Sequence, residues 1–182
     1  MSNREFTLVR VFDAPRDLVF RAWIEPDRIA EWAGPHGFTT RRDSIVAEPV
    51  PGGRYESIMV SDTDGTEYRN VGRFREIVEP ERLVFTWGDP TGDGGPERDS
   101  VITVTFADAG DGKTAMNFHL LAPGPLSPDD SAAYGWGQSL DRLAHILRQR
   151  LWSGGTEPDI AIGRTKSGRT WEPHSPTSIW PM

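Results

Sequence analysis

The stretch AAYGWGQSLDRLAHILRQRLW, from Ala132 to Trp152, predicts the one long helix of the chain. Its apolar residues recur at steps of three and four, which is the spacing of a single buried helical stripe. They are Ala133, Trp136, Leu140, Leu143, Leu147 and Leu151. The rest of the chain therefore has to supply an apolar surface that covers this stripe.

Two glycines, Gly135 and Gly137, bracket Trp136 within this helix. Each costs about 0.5–1 kcal/mol relative to alanine, because glycine loses the most backbone freedom when it enters a helix. Two interpretations explain why the helix contains these glycines despite that cost. In the first, which we favour, a neighbouring strand or short helix approaches the helix backbone closely. In the second, the glycines leave free space beside Trp136 and make the start of the helix pliable.

The first part of the chain predicts one strand and two short helices. The segment Phe6–Phe12, FTLVRVF, is rich in β-branched and aromatic residues, which favour strands. Asp13 is a predicted N-cap of the first helix, and Pro26 occupies the favoured first position of the second. Gly34 and Pro35 then end the second helix.

Between residues 38 and 122 the sequence predicts six strands separated by short turns rich in Gly, Pro and Asp. The predicted strands are Thr39–Glu48, Gly53–Ser61, Thr66–Val78, Arg82–Trp87, Ser100–Asp108 and Thr114–Leu121. Consecutive strands joined by short turns form antiparallel meanders. With the first strand they give an α+β fold whose antiparallel sheet has about seven strands.

Alternation along these strands predicts which side chains face the long helix. The inward set is Tyr55, Ser57, Met59, Leu83, Phe85, Trp87, Ile102, Val104, Phe106, Met116, Phe118 and Leu120. Asn117 and His119 fall on the opposite face of their strand. We therefore expect His119 to make a surface hydrogen bond and not to act in catalysis.

The chain divides into a predicted domain at residues 1–152 and a tail at residues 153–182. Ser127 is a predicted N-cap of the long helix, and Gly154–Gly155 is its predicted stop. The tail is rich in Gly, Pro, Ser and Thr, yet it also contains Trp171, Ile179 and Trp180. We therefore expect the tail to dock on its own domain or on a neighbouring subunit, which would form a homodimer.

Composition argues against several classes of function. A formal net charge of −7 at pH 7 disfavours nucleic-acid partners, whose binding requires clustered Lys and Arg. The chain has no cysteine, hence no disulfide and no thiolate nucleophile. No window approaches the roughly 20 apolar residues of a membrane span, and the first residues lack the apolar run of a signal peptide. These features favour a cytoplasmic protein without a membrane partner.

The sequence has no pattern typical of a metal or catalytic site. The four histidines are scattered without ligand spacing, and the acidic residues between Asp89 and Asp99 lack the spacing of a calcium-binding loop. Neither a pair of carboxylates suited to acid–base catalysis nor a G-x-S-x-G motif is present. We therefore expect no metal and no obligate cofactor, and the catalytic residues stay unknown.

Five motifs in order resemble one family of the START-like, or SRPBCC, superfamily, namely the family named after the C-terminal domain of the activator of the 90-kDa heat-shock protein ATPase. The motifs are DAPRDLVFRAWIEPDRIAEWAGPHG at 13–37, PGGRY at 51–55, GRFREIVEPERLVFTW at 72–87, GKTAMNFHL at 112–120 and GWGQSLDRLAHIL at 135–147. The resemblance covers Phe6 to Trp152. It does not extend to the polar insert at Gly88–Asp99 or to the tail.

The resemblance implies a helix-grip fold, in which a curved antiparallel sheet wraps a long C-terminal helix and two short helices follow the first strand. It also implies a cavity between sheet and helix that often holds an apolar ligand. The residues expected to line it are Trp23, Trp32, Phe38, Tyr55, Met59, Phe74, Phe85, Trp87, Phe118, Trp136 and Leu140. Tyr55 and Trp87 carry polar atoms that would orient a ligand, whereas Arg54 and Glu76 would do so only in a different strand register.

The family is functionally diverse, so fold does not determine function. The expected function is binding of a small apolar or aromatic molecule in the cavity. One alternative is an enzyme, a cyclase, dehydratase or hydrolase, that uses the same cavity. A second alternative, implied by the family name, is a co-chaperone-like interaction module.

Overall fold

The computed structural model describes residues 4–88, 99–123 and 131–153. One strand is followed by two short helices, a run of seven strands and a long helix. In chain order these elements are β1 (Arg4–Phe12), α1 (Arg16–Ile24), α2 (Pro26–Trp32), β2 (Phe38–Thr40), β3 (Val46–Ala47), β4 (Arg54–Ser61), β5 (Glu67–Val78), β6 (Arg82–Trp87), β7 (Ser100–Gly110), β8 (Lys113–Ala122) and α3 (Ser131–Ser153).

All strands join one antiparallel, half-barrel sheet in the order β1-β8-β7-β6-β5-β4-β2, with the two-residue β3 also paired to β4. Strands β4 to β8 follow one another as a meander, as the short turns predict. The first strand, β1, forms the edge of the sheet opposite to β2 and pairs with β8. The pairing runs from Arg4 opposite Ala122 to Phe12 opposite Thr114. The predicted helix-grip fold is confirmed.

The apolar stripe of α3 packs on the inner face of the sheet. Leu140, Leu143 and Leu147 are buried in the same core as the inward residues of β6, β7 and β8. The predicted inward set is buried, except that Met59 and Trp87 are only partly covered. Helix α1 completes the core because Phe20 packs edge-on to Phe106 with ring centroids 5.5 Å apart.

The single strand predicted at Thr39–Glu48 is wrong, because a 3₁₀ turn at Arg42–Ser44 divides it into β2 and β3. The Ser44 hydroxyl donates to the Arg41 carbonyl oxygen at 2.7 Å and accepts the Ile58 N–H at 2.8 Å. A serine side chain that binds nearby backbone groups competes with regular strand pairing. The predicted strand is therefore interrupted at Ser44, where the side-chain hydroxyl, and not a backbone carbonyl, accepts the N–H of Ile58 on β4.

The predicted N-cap at Asp13 is also wrong. Pro15 occupies the N-cap position of α1 in an extended conformation, and no side chain caps the helix. The Pro15 carbonyl accepts the N–H groups of Leu18 and Val19 at 3.1 and 3.2 Å. The helix thus begins immediately after the proline, two residues later than a cap at Asp13 would place it. The predicted role of Pro26 is confirmed at the beginning of α2.

The outward position of His119 is confirmed. Its Nε2 lies 2.9 Å from a carboxylate oxygen of Glu5 on the neighbouring strand β1, and Asn117 is exposed on the same face. Both residues lie away from the helix and the core. A cross-strand surface contact therefore accounts for the outward position of His119.

Several predictions fall outside the described residues: the N-cap at Ser127, the stop at Gly154–Gly155, most of the insert at Gly88–Asp99 and the docking of the tail. The division between domain and tail at residue 152 stays a prediction. Within the described part of the chain, no helix is long and apolar enough to cross a membrane.

A hydrogen bond from Thr114 on β8 attaches the segment before α1 to the sheet, and its contribution to stability can be tested. The Thr114 hydroxyl is fully buried and donates to the Ala14 carbonyl oxygen at 2.7 Å, across 100 residues of sequence. In Thr114→Val the carbonyl loses this buried donor, so we expect the free energy of unfolding to fall by about 1–3 kcal/mol. Urea denaturation measures the loss.

The matched control is Thr105→Val, on β7, where the described structure gives the hydroxyl no hydrogen bond. Its unfolding free energy should stay within about 0.5 kcal/mol of wild type. Equal stability of the two variants would contradict the role assigned to the Thr114 hydroxyl.

Candidate functional site

A half-open pocket of about 190 Å³ lies between the inner face of β4 and the beginning of α3, with α2 along one side. Its wall is mainly apolar and aromatic. The lining residues are Ile29, Trp32, Ala33, Gly34, Pro35, Thr40, Ile45, Tyr55, Glu56, Ser57, Met59, Asn70, Trp87, Ala132, Gly135, Trp136 and Ser139. The pocket is thus built where the sheet, α2 and the long helix meet.

Eleven residues are predicted from the sequence to line a cavity, and the structure brings five of them to this wall. The five are Trp32, Tyr55, Met59, Trp87 and Trp136. Another five, Trp23, Phe74, Phe85, Phe118 and Leu140, pack in the core instead, each no more than 1% exposed. The last, Phe38, packs edge-on to Tyr68 with ring centroids 5.8 Å apart. Strand alternation assigns a face, but neighbouring side chains decide which part of that face stays open.

Trp136 forms the boundary between the pocket and the core. Its ring centroid lies 4.7 Å from that of Phe118 in the core and 5.6 Å from that of Trp87 at the pocket wall. On the core side it also stacks on Trp23 at 6.3 Å, with an angle of 15° between the ring planes. One face of this indole therefore packs in the interior, while its partial exposure leaves surface for the pocket.

Tyr55 contributes its ring to the wall, but its hydroxyl group already donates a hydrogen bond within the protein. The hydroxyl donates to the Trp23 carbonyl oxygen at 2.8 Å, and burial raises the pKa of the phenol well above its usual value. Tyr55 therefore stays neutral and ties β4 to the end of α1, and it does not donate to a ligand. The indole N–H of Trp87 has no hydrogen-bond partner among the described residues, and its orienting role stays a prediction.

Two polar residues at the wall, Ser57 and Asn70, were not among the expected lining residues. They are directly opposite each other on β4 and β5, and neither side chain has a hydrogen-bond partner within the described part of the chain. The other hydroxyls at the wall are satisfied: Thr40 donates to Ala33 at 2.8 Å and Ser139 to Gly135 at 3.0 Å. Ser57 occupies an inward position of β4, and this position in the alternating pattern indicates from the sequence that its side chain faces the interior.

The one charged side chain among the described lining residues is paired. Glu56, in the wall, forms an ion pair with Arg69 at 3.5 Å. Arg54 and Glu76 lie outside the pocket in the observed register, where Arg54 pairs with Glu48 at 3.1 Å and Glu76 with Arg82 at 3.1 Å.

The pKa of Glu48 is lowered, because its carboxylate accepts the backbone N–H and the guanidinium of Arg54. Among the described residues, no three His, Asp or Glu side chains are grouped to hold a metal ion. The wall of the pocket is therefore mainly apolar, and its one charged side chain is paired.

The close-packing interpretation of the helix glycines is wrong. A Cβ on Gly135 would meet the Pro35 side chain at 3.8 Å, and one on Gly137 would meet the Arg10 guanidinium at 3.6 Å. Both are ordinary contact distances, so neither glycine is needed for close approach. Gly135, which lowers helix stability, instead lies beside open space, because it lines the pocket.

Gly135→Ala should therefore raise the free energy of unfolding by about 0.5–1 kcal/mol, since alanine has the higher helix propensity and its methyl group fits. Thermal or urea denaturation measures the gain. The contrasting variant is Gly72→Ala, whose Cβ would lie 1.9 Å from the Thr86 carbonyl oxygen and should destabilise by about 1–3 kcal/mol or more. A destabilised Gly135→Ala protein would restore the close-packing interpretation.

Comparison with known proteins agrees with this architecture. The model of one family, described as Activator of Hsp90 ATPase homolog 1-like protein, matches residues 13–148. No curated protein matches the sequence. Among solved structures, the chain is similar to a protein from Chromobacterium violaceum with 26% identity and a TM-score of 0.69, over 79% of this chain and 96% of that one.

Two further structures show the fold alone, because their identities are low. An AHSA1 protein from Silicibacter pomeroyi has 22% identity and a TM-score of 0.67, over 81% of this chain and 99% of that one. An AHSA1-like protein from Aeromonas hydrophila has 21% identity and a TM-score of 0.68, over 85% of this chain and 99% of that one.

Proposed function

The chain belongs to the Activator of Hsp90 ATPase homolog 1-like protein family, and from that premise we propose that it binds a small apolar or aromatic molecule between β4 and the beginning of α3. The observation that carries the proposal is the half-open pocket walled by Trp32, Tyr55, Trp87 and Trp136. Concave, mainly apolar sites with a few polar groups are the usual form of small-molecule sites.

The size of the pocket limits the ligand. Its volume of about 190 Å³ is below the roughly 300–1,000 Å³ of sites for drug-sized molecules. An apolar cavity of about 150 Å³ in another protein accommodates benzene. The expected ligand therefore has one or two rings and is much smaller than a phospholipid.

The aromatic wall also sets the scale of affinity. Burying about 150–250 Å² of apolar ring surface at about 25 cal/mol per Å² gives a gross gain of about 4–6 kcal/mol. That gain corresponds to dissociation constants from about 1 mM to tens of micromolar, before the costs of association are subtracted. A purely apolar ligand would thus bind weakly, and hydrogen bonds at the wall are needed for tighter binding.

The two alternative functions receive less support from the site. An enzyme needs an acid, base or nucleophile within reach of the substrate. Glu56, the one acidic or basic residue among the lining residues described, is held by Arg69. The co-chaperone alternative rests on the family name, and the pocket adds nothing to it.

Filling the pocket tests the proposal. Ala132 lines the wall at the beginning of α3, so the Ala132→Trp side chain should occupy the ligand's space and weaken binding of naphthalene at least tenfold. Binding is followed by ¹H–¹⁵N NMR of the tryptophan indole N–H groups. Because the new tryptophan adds a signal, the reporters are those of Trp87 and Trp136.

The matched control is Tyr134→Trp, which places the same side chain on the exposed side of α3, where Tyr134 is 71% exposed. This variant should bind naphthalene as wild type does. No binding of naphthalene to the wild-type chain, or unchanged binding to Ala132→Trp, would refute the proposal.

A further inference from the structure

We propose that the pocket selects a neutral ring compound carrying one hydrogen-bonding group, such as a hydroxyl or a carboxamide, which binds Ser57 and Asn70. This inference rests on the proposed function and specifies its ligand class. The observation behind it is the pairing of these two side chains across β4 and β5, both at the pocket wall and both without a hydrogen-bond partner in the described residues.

The polar pair is placed to orient a bound ring. Ser57 and Asn70 belong to the sheet side of the pocket, whereas Trp136 and Gly135 belong to the helix side. A ring that packs on Trp136 therefore directs its substituent either to this pair or to solvent. Ser57 is only 7% exposed, so a hydrogen bond made there is shielded from competing water.

The two side chains match a group that both donates and accepts. A serine hydroxyl carries one donor and two acceptor lone pairs, and an asparagine amide carries two donors and an acceptor oxygen. A hydroxyl or carboxamide on the ligand can hydrogen-bond to both Ser57 and Asn70, whichever way the side-chain amide of Asn70 is turned. A pure hydrocarbon, by contrast, displaces water from them and leaves them unpaired, which lowers its affinity roughly fivefold or more.

The electrostatics exclude ionic ligands from this class. Glu56, the charged residue at the wall, is paired with Arg69, so it offers no free counter-charge to an ionic ligand. No described lining residue offers an unpaired charge as counter-ion. An ion would lose its hydration without compensation, so the neutral form of a ligand binds better.

The experiment compares naphthalene, 2-naphthol and 2-naphthoate at pH 7, where the first two are neutral and the third is an anion. For the wild-type chain we expect 2-naphthol to bind about five- to tenfold more tightly than naphthalene, and 2-naphthoate to bind more weakly than 2-naphthol. Ser57→Ala and Asn70→Ala should each reduce the preference for 2-naphthol. The double variant should abolish it, because naphthalene then leaves no polar group unpaired and binds as tightly as 2-naphthol.

The control is Asn117→Ala, which removes the same amide from the exposed face of β8 and should leave the preference unchanged. Thermal denaturation verifies that each variant is folded. Equal affinity of the wild type for naphthalene and 2-naphthol overturns the inference but leaves the proposed function standing. So does a preference that survives in the double variant, or tightest binding of 2-naphthoate. Absence of binding by all three compounds refutes the proposed function as well.

Discussion

The contact between Trp136 and Phe118, with ring centroids 4.7 Å apart, joins the long helix to the inner face of the sheet. On one side of it, a layer of aromatic and aliphatic side chains is packed without exposure. On the other side, the same indole faces open space lined by Trp87 and the end of α2. The position of one side chain therefore separates the packed core from the open pocket. An interior filled completely from end to end would be more stable and would have no site.

Much of this fold could be predicted from the sequence, because its elements follow simple periodicities. The strand Arg82–Trp87 has the bounds that its sequence indicates, and the stripe of Leu140, Leu143 and Leu147 packs where helical spacing places it. The failed prediction of a single strand at Thr39–Glu48 has a non-local cause. The break at Arg42–Ser44 depends on Ile58, a partner 14 residues away, and no local pattern encodes such a contact.

The site was less predictable than the fold for a related reason. Phe85 and Trp87 lie on the same face of the same strand, yet the first is in the core and the second at the pocket wall. Period-two alternation treats them alike, although Trp23 of α1 packs on Phe85 whereas Trp136 of α3 packs on Trp87. Ser57 and Asn70 come together through the register of β4 and β5, and polar side chains on an inward face are easily overlooked when aromatic residues are counted.

The pairing of β1 with β8 has a consequence for how the chain reaches this structure. Arg4 is opposite Ala122, so the first strand finds its only described strand neighbour near the end of the sheet-forming sequence. Contacts of such long sequence separation are formed late and slow the folding of β-rich domains. During synthesis on the ribosome β1 emerges before β8 and remains unpaired until β8 has been made. Its apolar residues Val9 and Val11 are exposed even in the folded domain, so before β8 is paired this strand presents both an open edge and an apolar outer face to wrong association.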